Sequence, residues 1–229
     1  MSVTTTDPKV YAVVAAYCGP RRWTSPLFLE DCLHYIKSNV EAIKKHSTFV
    51  RFIEVVVNGG SPIDISHLDH DHVIYTGRPN QGFSYGAWNS SLIKYKNEYD
   101  YAVLLEDDYK PVYSGYDKEL IKYVEADPWV GYVCGLLGPN NHAAVSNGLL
   151  NLEAFRKLPE SGFRLNTGLS YGEGETNQYN FPLCLEHYGY KIVDHLDKFC
   201  TPFNSLHADN TIKYFGNPLN NPLIFPDIY

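Results

Sequence analysis

The sequence has no apolar run approaching the roughly 18 residues of a membrane-spanning helix, and its start, Met1 to Lys9, is polar with no apolar core. Both absences predict a soluble, cytoplasmic protein with no membrane span. There is also no CxxC pair: the five cysteines (Cys18, Cys32, Cys134, Cys184 and Cys200) are odd in number and widely spaced. That pattern argues against a disulfide framework or a structural zinc site and reads as free thiols in a reducing compartment. Positive charge is the minority sign, with 19 Lys and Arg against 26 Asp and Glu, and the net charge of -7 offers no footprint for nucleic acid. GxxxxGK[ST], GxSxG and HExxH are all missing, which removes a P-loop, a nucleophile elbow and a zinc-protease helix from consideration.

What is present is the composition of an ordinary globular protein, 44% hydrophobic and 20% charged. At 229 residues the chain suits one α/β domain, because single cores grow to roughly 250 residues before they split. Its aromatic content, 19 Tyr, 11 Phe and 3 Trp, is compatible with stacking on sugar or base rings and equally with core filling.

Val10 to Tyr17 is a continuous apolar run, as expected of a strand buried on both faces. Ser25-Pro26 then marks a helix start, and Leu29, Leu33, Ile36, Val40 and Ile43 recur at helical spacing. Phe49 to Val57 and His72 to Thr76 read as strands, the latter followed by the turn-rich Gly77-Arg-Pro-Asn-Gln-Gly82; Ser84 reads as the cap of a helix striped by Tyr85, Trp88, Leu92, Tyr95 and Tyr99. Tyr101 to Leu105 is the fourth strand. This alternation predicts a mostly parallel sheet flanked by helices. Asp117 to Ala126 follows as a helix and Val130 to Leu137 as a strand; Leu149 to Leu158 reads as helical and Phe163 to Glu175 as a Gly-rich loop. A helix through Leu183 to Tyr188, a strand at Tyr190 to Val193 and an irregular tail from Cys200 complete the expectation.

The fourth strand runs straight into Glu106, Asp107 and Asp108. Three adjacent carboxylates cannot hide within a sheet, so they belong at its carboxyl edge, where open α/β sheets bind ligands. Mn2+ or Mg2+, which prefer oxygen ligands, would relieve their mutual repulsion. A solvated acidic turn is the competing account, and the position at the end of a buried strand weighs against it.

Three segments then occur in order: Val57-Asn-Gly-Gly-Ser61, Asn80-Gln-Gly-Phe-Ser-Tyr-Gly-Ala-Trp-Asn89 and Leu105-Glu-Asp-Asp-Tyr109. Together they resemble the nucleotide-sugar-binding half of GT-A fold glycosyltransferases, especially the family 2 type. The resemblance implies a single Rossmann-like GT-A domain over residues 1–229, with a nucleotide-sugar-binding half at 10–137, an acceptor-side half at 138–199 and a tail at 200–229. It implies a DxD-type motif in which Asp108 binds Mn2+ or Mg2+, with Glu106 or Asp107 assisting, although Glu106 stands where a strict motif begins with Asp. Ala16, Tyr17 and Asn58 would line the base and ribose, Arg78 would reach the base or diphosphate, and Gly82 to Asn89 would carry the backbone close to the donor.

The same resemblance makes Tyr171-Gly-Glu-Gly-Glu-Thr176 the catalytic junction, with Glu175, or Glu173, taking the proton of the acceptor hydroxyl. Read without it, those acids complement a helix dipole. His207, with His195 in reserve, would add a metal ligand, and Ser146-Asn-Gly148 would meet donor sugar or acceptor. The function implied is transfer of a sugar from a nucleotide-diphosphate donor, UDP- or GDP-linked, to a glycan or glycoconjugate hydroxyl with inversion. A silent binding module of the same fold and a sugar-phosphate nucleotidyltransferase are the alternatives; Cys18-Gly-Pro-Arg-Arg22 lacks the Gly-rich pattern expected of the latter.

Overall fold

A computed structural model of the chain describes residues 7–17, 29–59, 72–107, 109–111, 114–136, 146–165, 171–194 and 203–205. Its strands are β1 (Val10–Tyr17), β2 (Val50–Asn58), β3 (Val73–Arg78), β4 (Tyr101–Glu106), β5 (Tyr109–Pro111), β6 (Val130–Leu136), β7 (Ser146–Asn151), β8 (Lys191–Asp194) and β9 (Phe203–Ser205). The helices are α1 (Leu29–His46), α2 (Phe83–Tyr95), α3 (Tyr116–Ala126), α4 (Leu152–Arg156) and α5 (Tyr171–His187). Seven strands form one sheet in the order β3-β2-β1-β4-β7-β6-β8, and β5 pairs with β9 in a separate ribbon. All pairings in the large sheet are parallel except those of β7, which runs antiparallel to both β4 and β6.

β2 and β4 pair the two edges of β1, and helices cover both of its faces, which explains its unbroken apolar run. Strand side chains alternate, so Val10, Ala12, Val14 and Ala16 pack with Ile36, Val40 and Ile43 of α1 and with Leu120 and Ile121 of α3. Tyr11, Val13 and Ala15 face the opposite layer, among Trp88 and Leu92 of α2, Phe155 of α4 and Phe181 of α5. The indole of Trp88 donates to the Leu105 carbonyl at 3.1 Å, tying α2 to β4.

A second tie holds the other layer. Asp117, fully buried near the start of α3, accepts from the backbone N–H groups of Thr48, Phe49 and Val50 at 2.6 to 3.2 Å. These amides precede or open β2, so the carboxylate caps the start of the strand.

Four expectations need correction. Leu149 and Leu150 lie in β7, not in a helix; the segment is captured between β4 and β6, and its two leucines alternate between the two core layers. Ser84 is not the cap of α2: Gly82 takes that place in the left-handed conformation, at φ 72°, with no side-chain cap. Arg78, expected in a turn, is the last residue of β3. Finally, Tyr171 to Thr176 is the opening of α5 itself, so Glu173 and Glu175 stand within helix where a loop was expected. The low helix propensity of Gly172 and Gly174 is offset chiefly by the burial of Phe181 and Leu185 further along the same helix.

Candidate functional site

The carboxyl ends of β3, β2, β1 and β4 line up along one edge of the sheet. Arg78 pairs in register with Asn58, Asn58 with Tyr17, and Ala15 with Glu106, so residues far apart in sequence form one row. The N-terminus of α2 opens onto the same edge, with no acidic residue in its first turn. Helix N-termini favour negative charge, so this edge suits an anion as well as a cation between the acids.

At one end of the row, Arg78 is half-buried, and burial lowers the pKa of its guanidinium. Nη1 donates to Asn58 Oδ1 at 2.7 Å and Nη2 to the Gln81 carbonyl at 3.0 Å. Asn58 Nδ2 in turn donates to the Phe83 carbonyl at 3.1 Å. The asparagine is therefore a bracket for the arginine and for the turn entering α2. Gly86 packs beneath this bracket: a Cβ there would lie 2.0 Å from the Gln81 carbonyl oxygen and 2.9 Å from Arg78 Nη1.

At the centre, Glu106 and Asp107 have different environments. Asp107 is only 5% exposed; its Oδ2 accepts the Tyr17 N–H at 2.9 Å and its own N–H donates to the Ala15 carbonyl at 3.0 Å. It latches the end of β1 to the end of β4. Glu106 is half-buried, and its Oε1 accepts from Ser84 Oγ at 2.6 Å. The backbone of Glu106 is held from two sides: Asn147 Oδ1 accepts its N–H at 2.7 Å, and Asn39 Nδ2 donates to its carbonyl at 3.0 Å. Beneath it the phenols of Tyr85 and Tyr132 are pushed well above the usual tyrosine range, mainly by burial, with the charge of Glu106 adding to both.

The structure thus brings Ala16, Tyr17, Asn58, Arg78, Gly82, Glu106 and Asp107 to one edge. Asn89 sits a turn further along α2, where its amide donates to the Ser161 carbonyl at 3.2 Å and accepts the Phe163 N–H at 3.1 Å, pinning that loop. Asp108, His195 and His207 lie outside the described residues, as do the side chains of Glu173 and Glu175. The helix carrying those two glutamates nevertheless reaches the site, because Asn177 Nδ2 donates to the Gly82 carbonyl at 3.5 Å. Sequence reasoning missed Ser84 as a partner of Glu106, and it missed Asn39 and the lock formed by Asn147. Ser84 was expected as a helix cap and Ser146-Asn-Gly148 as a sugar contact; the bonds to Glu106 leave no local mark, since each reaches a strand end 22 to 67 positions away. Among the described residues, no group of three or more His, Cys, Asp or Glu is gathered to hold a metal.

No protein-family model and no curated protein sequence matches the chain. Solved structures do. The mannosyltransferase PcManGT from Pyrobaculum calidifontis, in complex with GDP-Man and Mn2+, superposes with a TM-score of 0.53 at 15% identity, over 84% of this chain and 56% of that one. This chain has a GT-A-like fold. Glucosyl-3-phosphoglycerate synthase from Mycobacterium tuberculosis, in complex with Mn2+, UDP and phosphoglyceric acid, gives 0.52 at 14% identity, covering 82% of this chain and 68% of that one. A 4-diphosphocytidyl-2C-methyl-D-erythritol synthase gives 0.50 at 12% identity, over 83% of this chain and 89% of that one. The GT-A-like chain described here thus spans little more than half the length of the mannosyltransferase. Among its described residues no helix is long and apolar enough to cross a membrane.

Proposed function

We propose that this chain is a metal-dependent glycosyltransferase that moves a sugar from a UDP- or GDP-linked donor to a hydroxyl of a glycan or glycoconjugate, with inversion. The observation that carries this reading is the register row of Arg78, Asn58 and Tyr17, with Glu106 on the next strand opposite Ala15, along the carboxyl edge of a GT-A-like sheet. Two similar structures hold GDP-Man with Mn2+ and UDP with Mn2+, which supports a nucleotide-sugar donor here.

Carboxylate oxygens at a strand end are the ligand type that Mn2+ and Mg2+ prefer, so the donor set fits such an ion. Asp108 with Glu106 would hold it, with His207 as a further ligand; Asp107, already engaged by Tyr17 N–H, positions the nucleoside side of the site. When bound, the ion supplies charge stabilisation for the departing nucleoside diphosphate. Arg78 and the N-terminus of α2 add positive potential on the same side, and Tyr17 and Asn58 shape the floor under base and ribose. Glu175, in the opening turns of α5, accepts the proton of the acceptor hydroxyl, with Glu173 as the alternative base; a base of this kind typically contributes about 10² to 10⁴ in rate.

The test is a thermal-shift and calorimetric screen of UDP, GDP, UDP-glucose and GDP-mannose with and without Mn2+, followed by analysis of the released products. Mn2+-dependent stabilisation, slow release of nucleoside diphosphate and loss of both in Asp108→Ala are expected. Undiminished Mn2+-dependent affinity in Asp108→Ala would sink the metal assignment. The similarity to a diphosphocytidyl synthase favours a nucleotidyltransferase as the second reading. Pyrophosphate release from a nucleoside triphosphate in the same screen would select it.

A further inference from the structure

The amino edge of the sheet, opposite the row of Arg78, Asn58 and Tyr17, carries a second surface. The residues leading into β1 and β4 lock together there. Lys9 N–H donates to Asp100 Oδ2 at 2.9 Å, Asp100 N–H returns a bond to the Lys9 carbonyl at 2.8 Å, and Leu152 N–H donates to the Asp100 carbonyl at 3.0 Å. Over this floor opens a cleft of about 550 Å³ lined by Asp7, Lys9, Asn97, Glu98, Tyr99 and Arg156, a volume typical of small-molecule sites. Two of its walls are held in place. Arg156 Nη1 donates to the carbonyls of Lys96 at 2.7 Å and Tyr99 at 3.3 Å. The Tyr99 ring is backed by Phe52, stacked at 16° with centroids 6.0 Å apart, and by Tyr11 at 4.9 Å. Past Tyr99 and Lys9 a smaller hollow of about 200 Å³ continues to Phe49 and Arg51.

In the other direction the surface reaches exposed aromatic rings. A Cβ on Gly131 would lie 2.9 Å from Tyr190 Cβ and 3.4 Å from Ala154 Cβ, so Tyr190 sits beside α4, the helix that carries Arg156. Its ring meets that of Trp129, with centroids 6.1 Å apart. Trp129 is 59% exposed, yet its backbone is fixed on both sides: its N–H donates to Asp127 Oδ1 at 3.0 Å and its carbonyl accepts the Lys191 N–H at 2.7 Å. Lys191 Nζ closes the turn on Asp127 Oδ2 at 2.7 Å. An indole presented in this way has little freedom left to lose on binding. From Arg51 at the start of β2 to Tyr190 before β8 the surface crosses five strand spacings, about 24 Å.

The chemistry narrows the ligand. Two cations of the cleft, Lys9 and Arg156, are outnumbered by Asp7, Glu98 and Asp100, so it lacks the positive field that a nucleic acid needs. Strands begin at this edge, so it offers no open ladder for a peptide strand, and its polar lining offers no apolar groove for a helix. Mixed donors and acceptors beside flat aromatic faces match a sugar, whose rings carry a rim of hydroxyls around apolar C–H faces. We propose that the amino edge is a binding site for a neutral oligosaccharide, with Trp129 as its stacking platform and Asn97, Glu98 and Arg156 as partners of the hydroxyls. The site is independent of the donor-site reading.

Proton–nitrogen correlation spectra of the full chain, titrated with maltotetraose, cellotetraose, chitotetraose and mannotetraose, test it. At least one should shift the Trp129 indole N–H and the amides of Asn97 to Asp100, saturating in the millimolar range, while the buried Trp88 indole stays in place. Trp129→Ala and Asn97→Ala, both at exposed side chains, should each weaken that saccharide by about three- to tenfold and leave Tm within about 2 °C of wild type. No shift with any of the four at about 10 mM overturns the proposal, as does a response confined to the carboxyl edge around Arg78 and Glu106. So does undiminished affinity in both variants. Failure of UDP and GDP to bind would overturn the donor-site reading and leave these outcomes unchanged, so the two fall separately.

Discussion

Replacing Gly86 by alanine sets two effects of opposite sign against each other. Gly86 lies in the first turn of α2, and alanine in a helix is favoured over glycine by about 1 kcal/mol. The new Cβ, however, would stand 2.0 Å from the Gln81 carbonyl oxygen, where contact between non-bonded heavy atoms needs about 3.5 Å. The carbonyl must retreat by roughly 1.5 Å to restore that spacing. It also holds Arg78 Nη2 at 3.0 Å, so the retreat releases the arginine and loosens its second bond, to Asn58. Overpacking of this kind costs about 1 to 3 kcal/mol, which leaves a net loss of about 1 kcal/mol after the helix gain. Thermal denaturation should show Tm lowered by about 2 to 4 °C. Calorimetry with UDP and GDP in the presence of Mn2+ should show binding weakened by about tenfold, the effect of losing one hydrogen bond to a charged group. A variant stabilised by about 1 kcal/mol with unchanged nucleotide affinity would refute the reasoning, because it would mean that the turn moves away without disturbing Arg78.

Asp117→Ala removes the acceptor for three backbone N–H groups at the start of β2 and should destabilise the protein by about 3 kcal/mol or more, measured by urea denaturation; a loss under about 1 kcal/mol would show that water replaces the carboxylate there. Alkaline pH should unfold the protein through its buried phenols. Burial raises the pKa of Tyr11, Tyr85, Tyr116 and Tyr132, so the unfolded chain loses these protons near pH 10 while the folded chain keeps them. The unfolded state then binds fewer protons, and the contribution of these phenols, unchanged below about pH 9.5, should turn against folding above pH 10 by up to about 1.4 kcal/mol per pH unit for each tyrosine. Exposed rings such as Tyr179 and Tyr188 ionise first in any case; phenolate absorbance that reaches its value for the unfolded chain before the loss of helical circular dichroism would show the four buried rings to be accessible in the native state.

The strand–helix alternation was legible because each early element writes its own period. β1, α3, β4 and β6 appear within one or two residues of where the apolar pattern puts them. Later in the chain β8 falls within a residue of its expected place, and legibility fails at two segments, Ser146–Asn151 and the opening of α5, for a tertiary reason. Ser146 to Asn151 has no strand-like alternation of polar and apolar residues, and it becomes β7 only because β4 and β6 offer ladder partners on both sides. The opening of α5 was obscured in a similar way: Gly172 and Gly174 read locally as loop, whereas the helix they begin is fixed by Phe181 and Leu185 in the core.

At the candidate site, the residue types and their order are already written in the chain: an asparagine at the end of β2, an arginine and a glycine turn before α2, and an acidic triplet at the end of a buried strand. These could be read because strand ends, turns and charge clusters are local features of the chain. Which partner each residue meets is set by the packing of the strands and helices. Asp107 becomes a latch through the Tyr17 N–H, Asn58 becomes the support of Arg78, and Ser84 serves Glu106 in place of a helix end. Asn147 and Asn39 reach Glu106 across 41 and 67 positions. Such roles depend on strand register and crossover, which set hydrogen-bond partners at ångström precision and leave no periodic trace in the sequence.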